Sequence, residues 1–219
     1  MSDIATAPLL NKTALLGGCL RLPVTIDVAR LRAEIDALPL DVWDTTAGRV
    51  AVHRDAGALF LRGYAPKEGD KPIEDRPALN LLPYAREIIE TKLGSKPLRC
   101  LLARLVGGGV VTEHTDIGGY FERTIRIHVP IISNPRVWMV SAGLCYAMAP
   151  GEVWALNNST KHAVWNADPE QARTHMICDY LSTPALIDLL GRSERNLGRR
   201  MPEVDDKVRA ETARRMTGE

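Results

Sequence analysis

Residues 97–181 form a succession of short runs rich in Val, Ile, Leu and Trp, separated by clusters of turn residues. Many short strands at this close spacing are typical of an all-β sandwich or barrel, in which each antiparallel strand buries one face. Helical periodicity occurs before this segment and again after residue 183. The pattern therefore predicts a mainly β, α+β fold, with a jelly-roll core over about residues 97–181 and flanking helices.

The segments upstream of this core predict a mixture of helices, strands and loop. Residues 27–38 have apolar positions at helical spacing behind an Asp at the N-cap, and residues 79–93 predict a second amphipathic helix. Residues 50–62 predict two short strands around a glycine turn. Residues 64–77 are rich in Pro, Gly and charge, which predicts an exposed loop and a candidate lid over a binding site.

The length of 219 residues fits one domain with an appended segment. We predict a single domain over residues 1–182 and a C-terminal helical extension over residues 183–219. In that extension, only the stretch from Ala185 to Leu190 is clearly apolar. It therefore predicts a docked helix followed by a poorly ordered tail.

Charge and cysteine content bear on the partners of the protein and on its cellular compartment. The chain has 28 basic and 27 acidic residues, so its net charge of +1 gives no electrostatic reason to expect nucleic acid or a lipid surface as partner. The four cysteines are scattered without a Cys-x-x-Cys pair, as expected for buried free thiols in a reducing compartment. We see neither a signal-peptide pattern nor an apolar run of membrane-spanning length. A cytoplasmic location is therefore expected, whereas the sequence does not indicate an oligomeric state.

Three residues within the β-rich segment form a candidate metal site. His114 and Asp116 are two positions apart, so on a strand they point to the same side. His162 follows the turn at residues 157–161 and can supply a third ligand from another strand. Each of the three is a weak signal alone, and it is their joint occurrence beside turns that favours a site. Two imidazoles and one carboxylate leave three positions of an Fe(II) ion open.

Arginine and histidine also alternate on two predicted strands. Arg173 comes eleven residues after His162 and offers a planar cation for a carboxylate-bearing cosubstrate. Arg126 and His128 are two positions apart, so they share a strand face, and the same holds for Arg173 and His175. We interpret these pairs as the polar lining of a cavity and not as further metal ligands.

Four segments, in the order EHTD, RTIRIHVPI, GEVWALNNSTKHAVWN and ARTHMICDY, resemble the aspartyl/asparaginyl β-hydroxylase family of Fe(II)- and 2-oxoglutarate-dependent dioxygenases, which includes bacterial proline cis-hydroxylase-like members. With a weaker upstream match, the resemblance covers roughly residues 80–181. It implies a double-stranded β-helix (jelly-roll, cupin-like) core with iron at its open end. It further implies Fe(II) as cofactor, 2-oxoglutarate as cosubstrate and O2 as oxidant.

The resemblance implies a role for each matching residue. By position, His114, Asp116 and His162 match the iron ligands of the family, and Arg173 matches the arginine that pairs with the distal carboxylate of 2-oxoglutarate. Mammalian members carry Gly where Asp116 stands, whereas the proline hydroxylases keep the carboxylate. The chain is therefore expected to lie nearer the bacterial branch that acts on small substrates.

The resemblance also implies a second cosubstrate element, formed by Arg126 and His128. For the substrate, sequence proximity to the ligand turn makes Tyr120 and Phe121 candidates for the wall of its site and Arg123 a candidate partner for its carboxylate. The expected reaction is hydroxylation of an unactivated C–H of an amino-acid side chain, free or as an Asp, Asn or Pro residue in a peptide, with release of succinate and CO2.

Two other functions stay open on the sequence alone. Two histidines and one aspartate also suit a catalytic zinc ion, and a zinc-dependent hydrolase would use a nearby carboxylate such as Glu113 or Glu152 as general base. The other alternative is a non-catalytic, cupin-like binding module that has kept the fold.

Overall fold

A computed structural model describes residues 2–39, 42–43, 51–64 and 72–218, and two antiparallel sheets dominate it. The strands are Cys19–Arg21 (β1), Ala56–Arg62 (β2), Pro97–Leu105 (β3), Val110–His114 (β4), Thr124–Ile132 (β5), Val137–Ser141 (β6), Leu144–Tyr146 (β7), Trp154–Leu156 (β8), His162–Asn166 (β9) and Arg173–Leu181 (β10). A six-stranded sheet has the order β1-β8-β5-β10-β3-β2, and a four-stranded sheet has the order β4-β9-β6-β7. An apolar cluster with members from both sheets fills the space between them. This is the jelly-roll architecture that the strand pattern predicts.

Helices cover the outer faces of both sheets. In the described part of the chain the α-helices are Ser2–Thr6 (α1), Lys12–Leu16 (α2), Val28–Asp36 (α3), Pro83–Thr91 (α4), Gly119–Arg123 (α5), Pro184–Gly191 (α6) and Pro202–Met216 (α7). Residues of α3, α4 and α6 join the largest apolar cluster with the outer face of the six-stranded sheet. Helix α7 packs on the outer face of the four-stranded sheet.

The two faces of the six-stranded sheet differ in chemistry because side chains alternate along each strand. On β5, Ile125, Ile127 and Val129 belong to the cluster under the helices. The alternate positions Arg126 and His128 therefore face the space between the sheets. The pairs predicted to share a face do so, and that face lies inside the jelly roll.

The upstream segments confirm some predictions and correct others. Asp27 caps α3 by accepting a hydrogen bond from the backbone N–H of Arg30 at 3.0 Å, as predicted. Residues 50–62 are not two strands: the described part is a 3-10 turn at Ala51–His53 followed by the single strand β2. Gly57 lies within β2, opposite Arg104 of β3, because pairing along the sheet outweighs the turn preference of glycine.

The predicted helix over residues 79–93 begins later, since Pro77–Leu81 forms a 3-10 turn and α4 starts at Pro83. Proline suits the first turn of a helix because it has no N–H to leave unsatisfied. Residues 65–71 of the predicted lid lie outside the described residues, so the lid stays a prediction.

The prediction of a poorly ordered tail is wrong, because residues 202–216 form the fifteen-residue helix α7. Val204 and Val208, one helical turn apart, are fully buried against the four-stranded sheet. Arg215 binds Glu211 on its own helix and Asp55 before β2. These two valines are the only buried apolar side chains described for α7, which is otherwise highly charged. So short an apolar stripe does not reveal a docking face in the sequence. The predicted boundary at residue 182 stays a prediction.

Two further expectations concern cysteines and membranes. All four cysteines are free and buried, as predicted. Among the described residues, no helix combines the length and the apolar character that crossing a bilayer requires.

Candidate metal centre

The two candidate histidines are cross-strand partners at one end of the four-stranded sheet. His114 ends β4, His162 begins β9, and the two residues are paired in register. The pairing register shifts between Val111 and His114, so the end of β4 departs from regular pairing. The ring centroids are 4.2 Å apart, and one ligand atom from each histidine and from Asp116 lie within 4.8 Å of one another. The structure thus brings together the three residues that the sequence selects.

Both imidazole rings are oriented by a backbone carbonyl. Nδ1 of His114 lies 2.7 Å from the carbonyl oxygen of Thr112, and Nδ1 of His162 lies 2.9 Å from that of Thr160. A carbonyl oxygen only accepts, so in the neutral rings Nδ1 carries the proton and donates it. The lone pair is then on Nε2 in both rings, which is the form that a metal-binding histidine takes.

One carboxylate oxygen of Asp116 accepts hydrogen bonds that hold the side chain in place, and the other oxygen points toward the histidines. Its Oδ2 accepts hydrogen bonds from Nδ2 of Asn158 at 2.9 Å and from Nη1 of Arg126 at 2.5 Å. Its backbone N–H donates to the carbonyl of Asn158 at 3.0 Å. Oδ1 lies 3.9 Å from Nε2 of His114, so it is the oxygen placed to share a metal ion with the rings.

Arg126 links Asp116 to a second buried carboxylate. Its Nε and Nη2 donate to the two oxygens of Asp179 at 2.8 and 3.0 Å, a bidentate pairing across adjacent strands. The hydroxyl of Tyr120 donates to the same carboxylate at 3.2 Å. Asp179 is only 2 % exposed, so this pairing satisfies a charge that would otherwise be costly to bury.

Lys12 completes the polar network, although no pattern in the sequence indicates it. Its side chain is buried, and Nζ donates to Oδ1 of Asn158 at 2.7 Å. Burial lowers the pKa of Lys12 to about 8, partly offset by the charge of Asp179. Two carboxylates (Asp116 and Asp179) and two cations (Arg126 and Lys12) therefore balance one another. A lysine in a short helix at the chain start carries no sequence signal of such a role.

The electrostatics favour the protonation states that a metal ion needs. Burial alone would raise the pKa of Asp116, but Arg126 and His162 outweigh it and hold that pKa well below its usual range. Burial, together with the neighbouring ring of His114, lowers the pKa of His162 to about 4. At neutral pH the carboxylate is thus charged and the imidazole of His162 neutral, so no proton must leave before a metal binds.

The second arginine–histidine pair lies deeper between the sheets. Arg173 is 3 % exposed, and its Nη2 lies 2.6 Å from Nδ1 of His175. Both residues line a narrow gap between the sheets, together with Val137, Met139, Tyr146, Met148 and Val164. The ring nitrogens of His128 and Nε2 of His175 are buried and have no hydrogen-bond partner among the described residues. Burial and then the charge of Arg173 lower the pKa of both histidines.

The substrate candidates fall into two groups. The phenol of Tyr120 bonds to Asp179, as described above, and the guanidinium of Arg126 lies 5.3 Å from the ring centroid of Phe121. Both aromatic residues are therefore next to the network that holds the candidate ligands. Arg123 instead donates a hydrogen bond to the backbone carbonyl of Ala7.

With this geometry established, comparison with known proteins decides the family. The sequence model described as Aspartyl/Asparaginyl beta-hydroxylase matches residues 29–183, well over half of the chain. The chain belongs to the aspartyl/asparaginyl β-hydroxylase family. The predicted family and enzyme class, a dioxygenase that acts as a hydroxylase, are thereby confirmed. Family membership and the His–Asp–His group together confirm the predicted use of Fe(II), 2-oxoglutarate and O2.

Solved structures share the fold at low sequence identity. A 2OG-Fe(II) oxygenase family oxidoreductase from Burkholderia pseudomallei is 16% identical over 82% of this chain and 90% of its own, with a TM-score of 0.50. A prolyl hydroxylase from Trichoplax adhaerens, solved with a peptide fragment of hypoxia inducible factor, is 13% identical over 80% of this chain and 88% of its own, with a TM-score of 0.53.

The α-ketoglutarate-dependent epimerase SnoN from nogalamycin biosynthesis is 13% identical over 91% of this chain and 94% of its own, with a TM-score of 0.51. These similarities show the common fold and confirm the predicted jelly roll. No curated protein sequence matches the chain.

Proposed function

We propose that this protein hydroxylates an unactivated C–H of an amino-acid side chain, free or within a peptide, and releases succinate and CO2. His114, Asp116 and His162 would bind Fe(II). The observation that carries the proposal is the approach of their three ligand atoms to within 4.8 Å, at the end of one sheet.

The donor set fits Fe(II) in both chemistry and orientation. Two imidazole nitrogens and one carboxylate oxygen are the ligands of non-haem Fe(II) oxygenases. The outer sides of these ligands are all occupied by hydrogen bonds, from Asp116 to Asn158 and Arg126 and from the two rings to backbone carbonyls. Bound there, Fe(II) together with 2-oxoglutarate and O2 supplies the hydroxylating chemistry. The chain contributes orientation, charge and a site shielded from water.

Arg173 is proposed to pair with the distal carboxylate of 2-oxoglutarate. Its guanidinium only donates, so Nδ1 of His175 accepts and the proton of that neutral ring lies on Nε2. The buried Nε2–H of His175 and the one N–H of the neutral His128 ring then offer hydrogen-bond donors to an oxyanion in the interior. A buried cation beside neutral imidazoles suits a dicarboxylate better than an apolar ligand.

Arg126 and His128 remain the proposed second cosubstrate element. Arg126 already donates three hydrogen bonds to carboxylates, two to Asp179 and one to Asp116. Its main contribution in this proposal is therefore to hold Asp116, with its remaining N–H groups available to the cosubstrate.

The proposed substrate site lies around the residues after the ligand turn. Tyr120 and Phe121 adjoin Arg126, which supports their assignment to the wall of that site. Arg123 donates to Ala7 and has further N–H groups for a substrate carboxylate, so its role stays a prediction. The Trichoplax enzyme, whose fold this chain shares, was solved with a peptide, which supports including peptides among the substrates tested.

The zinc-hydrolase alternative is not favoured, because both candidate bases are engaged elsewhere. Glu113 accepts a hydrogen bond from Lys161 at 2.9 Å. Glu152 is bound by Arg21 at 2.6 Å and by the indole N–H of Trp154 at 2.8 Å. A cytoplasmic location remains part of the proposal and is supported by the four free, buried thiols.

The experiment that tests the proposal adds Fe(II) and 2-oxoglutarate to the protein without oxygen. Chelation of iron by the cosubstrate is expected to give a visible metal-to-ligand charge-transfer band. A zinc hydrolase or an empty binding module would stay colourless. Succinate release should then be screened with O2 across free amino acids and short peptides that contain Asp, Asn or Pro. Absence of both the band and succinate would contradict the proposal.

A further inference from the structure

A segment outside the family match contacts the metal centre. We call residues 7–18 the N-terminal strap; it precedes the matched residues 29–183. The backbone N–H of Leu10 donates to the carbonyl of Glu122, just beyond the turn that carries Asp116. The strap is thus anchored on one side to the segment that presents the carboxylate ligand.

The other side of the strap is anchored to the turn before His162. The side-chain amide of Asn157 donates to the carbonyl of Gly17 at 2.8 Å, and its backbone N–H donates to the carbonyl of Gly18 at 2.9 Å. Lys12 lies between the two anchors and is 3 % exposed. Its ammonium group is therefore held at a fixed place beside Asn158.

The chemistry of the three groups fixes the orientation of the Asn158 amide. The ammonium of Lys12 can only donate, and the carboxylate of Asp116 can only accept. The amide between them must turn its oxygen toward Lys12 and its nitrogen toward Asp116, as the distances of 2.7 and 2.9 Å show. In a flipped amide, the NH2 group would face the ammonium of Lys12 and the oxygen would face the carboxylate of Asp116, so neither hydrogen bond could form.

We infer that Lys12 is a positioning residue of the metal centre. It fixes Asn158 so that the amide nitrogen holds Oδ2 of Asp116 and leaves Oδ1 for the metal ion. The inference rests on the proposed function, because it takes Asp116 as a metal ligand. Without Lys12 the amide has no partner that selects its orientation, and the carboxylate loses a fixed donor.

Lys12 also acts through its charge, and the two effects on metal affinity oppose one another. Removing a cation near the site strengthens the binding of a divalent ion by Coulomb attraction. Loss of the outer hydrogen bond to a ligand weakens it, typically by about 10- to 100-fold. A double-mutant cycle separates the two, because only the second effect requires the side chain of Asn158.

The test measures Co²⁺ affinity by calorimetry for the full-length protein and for Lys12→Met, Asn158→Ala and the double variant. We expect Lys12→Met to raise the Kd by about tenfold more in the wild-type background than in the Asn158→Ala background. Equal effects in the two backgrounds would mean that Lys12 acts by charge alone, and would overturn the inference. The matched control is Lys161→Met, which removes an exposed lysine beside His162. It should have the same effect in both backgrounds.

A stability measurement and a second variant keep the outcomes of this test distinct. Thermal unfolding of each variant is followed in parallel, because a merely structural lysine would lower the Tm without coupling to Asn158. If Lys12→Met does not fold, Lys12→Ala repeats the cycle with the same expectation. Failure of the wild-type protein to bind Co²⁺ would contradict the proposed metal site itself and the inference with it. Binding without coupling would overturn the inference alone.

Discussion

The two faces of the six-stranded sheet carry opposite kinds of residue on the same strands. On β10, Met176, Cys178 and Tyr180 join the apolar cluster under the helices. The intervening positions include His175 and Asp179, which face the interior between the sheets and take part in its polar network. Because side chains alternate, a single strand contributes to folding on one side and to chemistry on the other.

The comparison shows how a polar interior can be tolerated. The outer face gains from burial of apolar area, at roughly 25 cal/mol per Å². The inner face must bury ions, each of which costs several kcal/mol unless it is paired. Arg126 and Asp179 pair there across adjacent strands, and Lys12 and Asp116 bring one further charge of each sign from outside the sheet. Substitutions on the two faces should therefore separate stability from metal binding and catalysis.

The largest effect is expected from His162→Ala, a candidate ligand on the four-stranded sheet, which lies opposite the polar face of the six-stranded sheet. Loss of a direct ligand should reduce metal affinity well beyond the roughly 100-fold that is typical of losing an outer-sphere partner, and should abolish turnover. Co²⁺ affinity and succinate release provide the measurements. Lys161→Ala is the control, since its side chain is 75 % exposed on the same turn. Turnover retained in His162→Ala would exclude this histidine as a ligand.

On the outer face, Ile127→Ala should lower the free energy of unfolding by about 2–5 kcal/mol, because it leaves a cavity in the main core. Chemical denaturation measures this loss. Co²⁺ affinity of the folded variant is expected to stay at the wild-type value. A comparable loss of metal affinity would show that the two faces are not separable.

Arg173→Ala should mainly raise the 2-oxoglutarate requirement, because it removes the cation proposed for the distal carboxylate. We expect the KM for 2-oxoglutarate to rise by roughly 10- to 100-fold, as for loss of a charge-assisted hydrogen bond of about 1.5–3 kcal/mol. Co²⁺ affinity without cosubstrate should change little. Arg104→Ala, an exposed arginine on the neighbouring strand, is the control. Normal cosubstrate dependence in Arg173→Ala would contradict the assignment.

The smallest effect concerns the pH dependence of stability in the metal-free protein. Burial lowers the pKa values of His128, His162 and His175, that of His162 to about 4. Between about pH 6.5 and pH 4 the unfolded chain therefore binds protons that the folded chain does not, so stability falls as the pH is lowered. Each such histidine contributes a slope of roughly 1.4 kcal/mol per pH unit.

His128→Asn should accordingly reduce that slope by about one proton, measured by denaturant unfolding between pH 7 and pH 5. Ile127→Ala provides the contrast, because it should lower stability equally at every pH. An unchanged slope in His128→Asn would mean that this ring binds as many protons in the folded as in the unfolded chain, and that burial does not lower its pKa.

Part of the candidate site was predictable because some of its residues lie two positions apart along a strand. The i, i+2 rule puts Arg126 with His128 on one strand face, whatever the rest of the chain does. Asp116 lies beyond the end of β4 at His114, and hydrogen bonds with Asn158 hold it there. Two predictions from local pattern were wrong: the poorly ordered tail, which is helix α7, and the glycine turn, which lies within β2. In those places a distant partner, and not the local pattern, decides the structure.

The sequence by itself determined the strand-rich core and the alternation of its faces, because both depend on neighbours along the chain. It also selected three candidate ligands, by their joint occurrence beside turns. Only the tertiary structure decided how the ligands are supported. The bidentate pairing of Arg126 with Asp179 spans 53 positions of the chain. The hydrogen bond from Lys12 to Asn158 spans 146 positions. No periodicity encodes such contacts, since they form only when the sheets close and the N-terminal strap lies across the end of the jelly roll.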